Sequence, residues 1–400
     1  MHTAERLARY LGLIIAILVT CGWIPAEESG QAAAQQASTE VVSIGGAPVV
    51  ILRRPKSADK SKPQFLEATI LPGRGMAVLQ IKAYVPGKGE INLLNSPPLA
   101  ESEKLLDKED DQFGNQVFKM GGAILLPFAN RIRGKVSPDG KTITAEVAGK
   151  PITLAANWSG NNPGAEKHAI HGLLLKSKFA SVYSENGDKE SFVIASLPAG
   201  DFDGHWFSKS DIRVEMRLTD DAFNMLVSVR DAGHAPLPMG IGWHPYFALP
   251  SGDRNQVRLH LPSETRAVMN NYDDSFTTGR RVSVKGTPYD FSAPGGRALG
   301  TQYLDDNFSN LIHGANDSTL SEIIDPAAKF GLRLTTFSPS IKSIQVYAPL
   351  GKNFVAIEPQ FNLPDPYNKN WGNTDTGMVL LDPGQSVFWR VRLELFAPAQ

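Results

Sequence analysis

Alternation of apolar residues with mostly polar ones is the feature that most limits how this chain can fold. Apolar residues occupy every second position over residues 212–218 and 223–229, on either side of a turn at 219–221, and again over 387–395. Because side chains of a strand point alternately to opposite faces, this pattern predicts half-buried antiparallel strands. Long helical periodicity is almost absent. We therefore predict an all-β domain of large antiparallel sheets packed face to face.

The first 40 residues have the composition of an export signal followed by a linker. Two arginines precede an apolar run at residues 11–19, and small residues follow it. The run is too short to span a membrane comfortably. We predict a signal peptide over residues 1–26, a low-complexity linker over 27–40 and a single domain over 41–400. The protein is therefore expected to be exported, into the periplasm.

Cysteine usage bounds both the redox chemistry and the membrane contact of the chain. The only cysteine, Cys21, lies inside the predicted signal, so the domain is expected to contain no disulfide. The sequence Leu-Val-Thr-Cys that ends at Cys21 vaguely resembles a lipoprotein signal. A lipid anchor at Cys21 is therefore the alternative to ordinary cleavage, and only that alternative would bring the protein into contact with a membrane.

The overall charge is balanced. The chain has 40 basic and 41 acidic residues, which gives a net charge of -1. This balance provides no basic field for nucleic acid. We expect a small neutral ligand, with no nucleic acid, and we infer no protein partner.

One histidine, His244, lies among aromatic residues in the segment Gly-Ile-Gly-Trp-His-Pro-Tyr-Phe-Ala-Leu, residues 240–249. A residue before proline favours extended backbone, so we predict His244 at a strand end or on the loop beyond it. The glycines allow another chain or a ligand to approach closely. From this segment alone, a catalytic acid and a histidine of the aromatic core are equally good interpretations.

Other ionisable groups occur beside glycine, proline or aromatic residues, in what we predict to be loops or strand ends. Glu358, like His244, precedes a proline. At neutral pH a carboxyl group with a pKa of about 4.3 is a base, and an imidazole with a pKa of about 6.5 is close to being an acid. The two residues therefore fit acid/base catalysis without a cofactor. The alternative for Glu358 is a surface carboxylate or an ion-pair partner of Arg131 or Arg390.

The histidines His168 and His171 have a spacing that would suit a metal on a helix. The surrounding residues favour a strand, where the two rings point to opposite faces and one of them serves only the scaffold. No cysteine is available in the domain, and no carboxylates lie nearby at metal spacing. We predict no metal and no cofactor. The mature chain also lacks a Gly-x-Ser-x-Gly elbow and a glycine-rich phosphate loop before a helix.

Taken together, these segments resemble the aldose 1-epimerase (galactose mutarotase) family. The resemblance extends from about residue 120 to residue 396, in the order of the family. It is carried by Asn130-Arg131, His171-Gly172, Gly242-Trp-His-Pro-Tyr-Phe247, Leu304-Asp-Asp-Asn-Phe308, Glu358-Pro-Gln360, Pro364-Asp-Pro-Tyr-Asn368 and Pro383-Gly-Gln385.

The resemblance implies a β-supersandwich with few short helices, and interconversion of the α and β anomers of a free aldose such as galactose or glucose. Glu358 looks like the base that takes the proton of the anomeric hydroxyl. His244 looks like the acid that protonates the ring oxygen. The positions that hold the sugar match His171, Asp305, Arg131, Asn130 and Gln360.

Two features depart from the family pattern. Residues up to about 115 do not show its usual opening clearly. The doublet Asp305-Asp306 leaves open which aspartate contacts the sugar, and we expect Asp305.

Two other functions fit the same fold. A non-catalytic carbohydrate-binding protein would keep the aromatic residues but would not need both His244 and Glu358. A sugar-phosphate epimerase or a lyase would need several arginines around the site. Only Arg131 and Arg133 are placed for that role.

Overall fold

Antiparallel strands make up nearly all the regular structure in the computed structural model, which describes residues 42–54 and 59–398. These residues form 29 strands and one α-helix, α1 (Leu99–Leu106), together with short 3-10 turns. The predicted all-β class is confirmed. Within the same residues, no helix combines the length and the apolar character needed to cross a membrane.

The predicted signal peptide (1–26), the linker (27–40) and Cys21 lie outside the described residues. Export, the alternative lipid anchor and the single domain over 41–400 therefore stay predictions.

The strands are short to medium in length and are numbered along the chain. They are β1 (Ser43–Ile44), β2 (Ala47–Pro48), β3 (Val50–Arg53), β4 (Gln64–Leu71), β5 (Ala77–Val85), β6 (Gly89–Asn92), β7 (Gly122–Leu125), β8 (Arg131–Ile132), β9 (Lys135–Val136), β10 (Thr142–Val147), β11 (Lys150–Ala155), β12 (Ala169–Ile170), β13 (Ser181–Asn186), β14 (Ser191–Gly200), β15 (Ser210–Leu218), β16 (Ala222–Asp231), β17 (Leu237–Met239), β18 (Gly242–Ala248), β19 (Arg258–His260), β20 (Ser263–Met269), β21 (Thr277–Ser283), β22 (Arg297–Ala298), β23 (Leu304–Leu311), β24 (Thr319–Asp325), β25 (Phe330–Thr336), β26 (Ser343–Ala348), β27 (Phe354–Gln360), β28 (Val379–Leu381) and β29 (Ser386–Phe396).

Two large antiparallel sheets contain most of these strands. The first has eleven strands in the order β21-β20-β23-β26-β27-β18-β7-β5-β4-β3, with β6 beside β5. The second has nine strands in the order β13-β14-β15-β16-β29-β25-β24-β19-β22. Apolar side chains from both sheets form one buried cluster, so the hydrophobic core lies between them.

The alternating segments of the sequence form the centre of the second sheet. β15 and β16 are the predicted hairpin, with Ile212 opposite Val229 and Met216 opposite Met225, and all four side chains are buried. β29 pairs with β16 and brings in Trp389, whose Nε1 donates a hydrogen bond to the backbone oxygen of Pro359 at 3.2 Å. Through this bond the second sheet supports β27, the strand that carries Glu358.

Candidate active site

A cavity of about 260 Å³ lies beside the central strands of the eleven-stranded sheet. Its lining includes six of the seven residues predicted for the site: Asn130, Arg131, His171, His244, Asp305 and Glu358. The fold thus brings together groups that are far apart in the sequence.

Alternation along four neighbouring strands places these groups on one face of the sheet. β23, β26, β27 and β18 are adjacent in the sheet order. Side chains on one face, such as Val346 and Ile357, belong to the core shared with the second sheet. Side chains on the opposite face, such as Gln345 and Glu358, line the cavity and are paired in register. The site is therefore built on rigid strands, and the prediction of loops or strand ends was too narrow.

The same alternation separates the two aspartates of β23. Asp305 lines the cavity. Asp306 lies on the opposite face, where its carboxylate accepts hydrogen bonds from Arg266 Nη1 at 2.8 Å and from the hydroxyl of Tyr272 at 2.9 Å. Asp305 is thus the aspartate that is placed to contact a ligand in the cavity.

His244 and Glu358 form a buried pair. Nε2 of His244 lies 3.3 Å from Oε1 of Glu358, and the two residues are 5% and 1% exposed. His244 is inside β18, so its predicted position at a strand end or on a loop is wrong. The ring of Tyr246, two residues further along the same face, stacks on the imidazole at 4.7 Å.

Prolines explain how the pair can lie inside a continuous sheet. β18 and β27 are paired at Gly242 and again from residue 246 onward, and between these points the ladder is interrupted. Pro245 and Pro359 fall in this interval and have no N–H to donate to a neighbouring strand. The register on either side places the histidine and the glutamate directly opposite each other, which is the closest arrangement that two strands offer.

Burial favours the neutral form of both groups. It raises the pKa of Glu358 well above its usual value, and the charge of Asp305 acts in the same direction. It lowers the pKa of His244 to about 3. With both groups neutral the pair holds one proton, and the 3.3 Å distance between Nε2 and Oε1 is short enough for the two residues to exchange it.

His171 brings a second imidazole to the cavity. Its ring is perpendicular to that of His244, with 5.0 Å between the centroids. The backbone of His171 is left-handed (φ 62°), as is that of Asn130 (φ 60°), and the N–H of His171 donates to the backbone oxygen of Asn130 at 2.9 Å. Such strain costs roughly 1 kcal/mol or more per residue and is typical of functional sites. Burial, then the charge of His244, lowers the pKa of His171.

Polar side chains form a connected network beside the pair. Arg131 Nη1 donates to Asn130 Oδ1 at 2.9 Å, and Asn130 Nδ2 donates to Gln345 Oε1 at 3.1 Å. Gln345 Nε2 donates to Asp305 Oδ1 at 2.7 Å, and Arg131 Nη2 lies 3.7 Å from Asp305 Oδ2. The buried Nε of Arg131 has no protein partner. The network therefore presents a fixed guanidinium and a fixed carboxylate to the cavity.

Two residues that the sequence indicated do not line the cavity. Gln360 was predicted to hold the substrate, but it is fully buried and its Nε2 donates to Glu358 Oε2 at 2.9 Å. Its hydrogen bond holds the carboxylate of Glu358 in position. Arg133 lies outside the cavity, with its guanidinium 2.6 Å from a carboxylate oxygen of Glu166.

The two histidines of residues 168–171 have different environments, as predicted for a strand. They flank β12, which pairs with β8, so the residues between them form a strand, whereas His171 itself has a left-handed backbone. His168 is fully buried outside the cavity, with its ring edge-on to Phe276 and its Nδ1 3.1 Å from the backbone oxygen of Glu166. Burial lowers its pKa to about 4. His168 is thus the histidine that serves the scaffold.

Sequence reasoning missed part of the cavity wall. Gln345 and Tyr347 come from β26, and Tyr303, Trp158 and Phe118 come from segments between the large strands. Only β26 carried a usable signal, because Gln345 and Tyr347 alternate with the apolar residues of Ser-Ile-Gln-Val-Tyr-Ala. In the described part of the chain, no group of three or more His, Cys, Asp or Glu residues is arranged to hold a metal ion.

Comparison with protein families gives one match over most of the domain. The model of the family described as aldose 1-epimerase matches residues 95–394. A comparison with curated proteins finds no match.

Solved structures share the fold at low sequence identity. A galactose mutarotase-like protein from Clostridium acetobutylicum has a TM-score of 0.65 and 19% identity, covering 88% of this chain and 99% of its own. An aldose epimerase homologue from C. elegans has a TM-score of 0.64 and 17% identity, with the same coverage of 88% and 99%. A galactose 1-epimerase from Lactobacillus acidophilus has a TM-score of 0.59 and 14% identity, again covering 88% and 99%. At these identities the likeness establishes the fold, and the predicted mutarotase-like β-sandwich is confirmed.

Proposed function

The chain belongs to the aldose 1-epimerase family, and on this basis we propose that it interconverts the α and β anomers of a free aldose of the galactose or glucose type. Membership supports a function of the sugar epimerase or mutarotase type. The sugar and the role of each residue are part of the proposal.

The observation that carries the proposal is the buried pair of His244 and Glu358, with Nε2 3.3 Å from Oε1, beside a cavity lined with hydrogen-bonding groups. In the ring-opening step, Glu358 takes the proton of the anomeric hydroxyl and His244 gives a proton to the ring oxygen. The bond between C1 and the ring oxygen breaks, and an aldehyde forms. After rotation about C1–C2, the reverse transfers close the ring as the other anomer.

The proton balance of the pair suits this reaction. One proton enters the catalyst and one leaves it in each direction, so the pair returns to its starting state after every turnover. The proposed roles require the shared proton on His244 when sugar is bound, whereas burial alone favours the neutral pair. The 3.3 Å contact provides the path for this transfer. Asp305, Arg131 and His171 are proposed to hold the hydroxyls.

The positions of the cations favour a neutral sugar over a sugar phosphate. Among the described residues that line the cavity, the cationic side chains are Arg131 and Lys119. Arg133, which a phosphate site would have used, is paired with Glu166. Arg131 already lies 3.7 Å from the carboxylate of Asp305, which offsets its charge toward a phosphoryl group.

The direct test is polarimetry of freshly dissolved α-galactose and α-glucose. We expect the protein to accelerate the change in rotation of at least one of these sugars above the buffer rate at near-neutral pH. Dialysis against a chelator is expected to leave the rate unchanged. If neither sugar equilibrates faster than in buffer, the proposed activity fails. Calorimetric binding of sugar without acceleration would instead support a carbohydrate-binding protein.

The pH dependence tests the shared proton. The pH profile of kcat/KM reports the groups of the free enzyme. The pair takes up a second proton, and then has no base, only below the lowered pKa of His244, which is about 3. It gives up its single proton, and then has no acid, only above the raised pKa of Glu358. We therefore expect kcat/KM to be flat from about pH 5 toward the raised pKa of Glu358, without the break near 6.5 that an ordinary histidine would give. A tenfold decrease for each pH unit below about 6.5 would contradict the shared proton.

A further inference from the structure

Two loops, residues 158–162 and 270–276, meet at the outer part of the cavity. Both contribute to its lining. The carboxylate of Asp273 joins them, because Oδ1 accepts a hydrogen bond from the backbone N–H of Asn161 at 2.7 Å and Oδ2 accepts one from Asn162 at 3.1 Å. We call this contact between Asp273 and the two backbone N–H groups the clasp.

Gly160 allows the clasp to close. A Cβ atom at this position would lie 2.3 Å from Oδ2 of Asp273, much closer than two such atoms can approach. The same Cβ would also lie 2.9 Å from the backbone oxygen of Asp273. A side chain at 160 would therefore displace the Asp273 carboxylate, and the clasp could not close as it does.

The loop that carries Asp273 is anchored to the sheet below it. The hydroxyl of Tyr272 donates to Asp306 Oδ2 at 2.9 Å, and Oγ of Ser275 donates to Asp305 Oδ2 at 2.9 Å. Asn271 Oδ1 accepts a hydrogen bond from the N–H of Asp273 itself at 2.8 Å. The carboxylate is thus presented from a fixed loop, and the clasp holds residues 158–162 in place as a wall of the cavity.

A second hollow of about 370 Å³ shares the wall formed by residues 158–161. It is lined further by Asn115 and Asn157, whose side chains are hydrogen-bonded to each other, and by Lys167. The clasped segment therefore stands between the cavity and this second space.

We infer that Asp273 is a specificity-determining residue: the clasp limits the cavity to one sugar ring and disfavours aldoses that carry a second ring. This inference rests on the proposed mutarotase function, and it concerns which sugars enter, not how the protons move. Opening the clasp lets residues 159–162 move aside and joins the two spaces, while Trp158 stays paired with His168.

The test compares two sugars that share the same reducing ring, α-glucose and α-lactose, by polarimetry. The quantity measured is the ratio of kcat/KM for lactose to kcat/KM for glucose. In Asp273→Asn, an amide NH2 faces one of the two backbone N–H groups, so one hydrogen bond and the charge are lost. We expect the ratio to rise about tenfold or more, the effect of one hydrogen bond to a charged group. Gly160→Ala, which opens the same contact from the other loop, is expected to raise the ratio as well.

The matched control is Asp274→Asn, the neighbouring carboxylate of the same loop. Its Oδ2 accepts hydrogen bonds from Asn270 and Asn271 within the loop. We expect its ratio to equal that of the wild type. The inference is overturned if the wild type uses both sugars equally well, or if Asp273→Asn and Gly160→Ala both fold and leave the ratio unchanged. A wild type that accelerates neither α-glucose nor α-galactose would instead overturn the proposed function, and this inference with it.

Discussion

Replacing Glu358 with glutamine is expected to lower kcat for the mutarotation of α-galactose and α-glucose by roughly a hundredfold to ten-thousandfold, the usual effect of removing a positioned acid or base. Glutamine has the same shape as glutamate and can still accept the hydrogen bond from Gln360 Nε2. It cannot take a proton from the anomeric hydroxyl. The loss should therefore appear in kcat, with a smaller change in KM.

Stability separates this effect from a folding defect. Burial raises the pKa of Glu358, so the folded protein favours its uncharged form, which glutamine reproduces. We therefore expect the melting temperature of Glu358→Gln to equal or exceed that of the wild type. The control is Glu322→Gln on β24 of the second sheet, where the carboxylate pairs with Arg333 outside the cavity. Wild-type kcat in Glu358→Gln would exclude the glutamate as the base.

The sheets could be predicted because a strand that is buried on one face has an apolar residue at every second position of its sequence. The hairpin β15–β16 and the strand β29 carry this period and were predicted correctly. β3 to β6 also belong to the eleven-stranded sheet, although the match to the family model begins only at residue 95. Of these strands, β5 alternates from Leu79 to Val85, whereas β4 is buried at seven of its eight positions. The sheet thus continues beyond the segment that the family model matches.

The same reasoning could have chosen between the two aspartates of β23. Leu304 and Phe308 are apolar and four positions apart, so they share a face, and both are buried in the core between the sheets. Asp306 lies between them on that face, and Asp305 must point the other way. Alternation alone thus assigns Asp305 to the cavity.

The proline after His244 does not by itself predict where in the strand the histidine lies. A proline predicts extended backbone, and this was interpreted as a strand end. The structure has a second proline, Pro359, on the neighbouring strand, and both fall where the ladder between β18 and β27 is interrupted. The interruption can be recognised only when β18 and β27, which are more than a hundred residues apart in the sequence, are aligned in register. The clasp has the same property, since Asp273 and Asn161 are 112 positions apart.

Replacing His244 with asparagine is expected to lower kcat by roughly a hundredfold to ten-thousandfold while sugar still binds, because the side chain remains polar but can no longer donate a proton to the ring oxygen. Polarimetry gives kcat, and calorimetry with galactose or glucose gives the affinity. The matched control is His168→Asn, which removes the other buried histidine of this region, outside the cavity; it should keep kcat close to the wild-type value. If His244→Asn fails to fold while His168→Asn folds, His244 is a core histidine and not the catalytic acid.

The double variant of His244→Asn and Glu358→Gln tests whether the two residues act as one unit. Because the pair shares a single proton across a 3.3 Å contact, removing either partner already prevents the coupled transfer. We therefore expect the double variant to have nearly the same kcat as the worse single variant, as residues that act together are strongly non-additive. Multiplied losses would mean that each residue contributes independently, and the shared-proton mechanism would then be wrong.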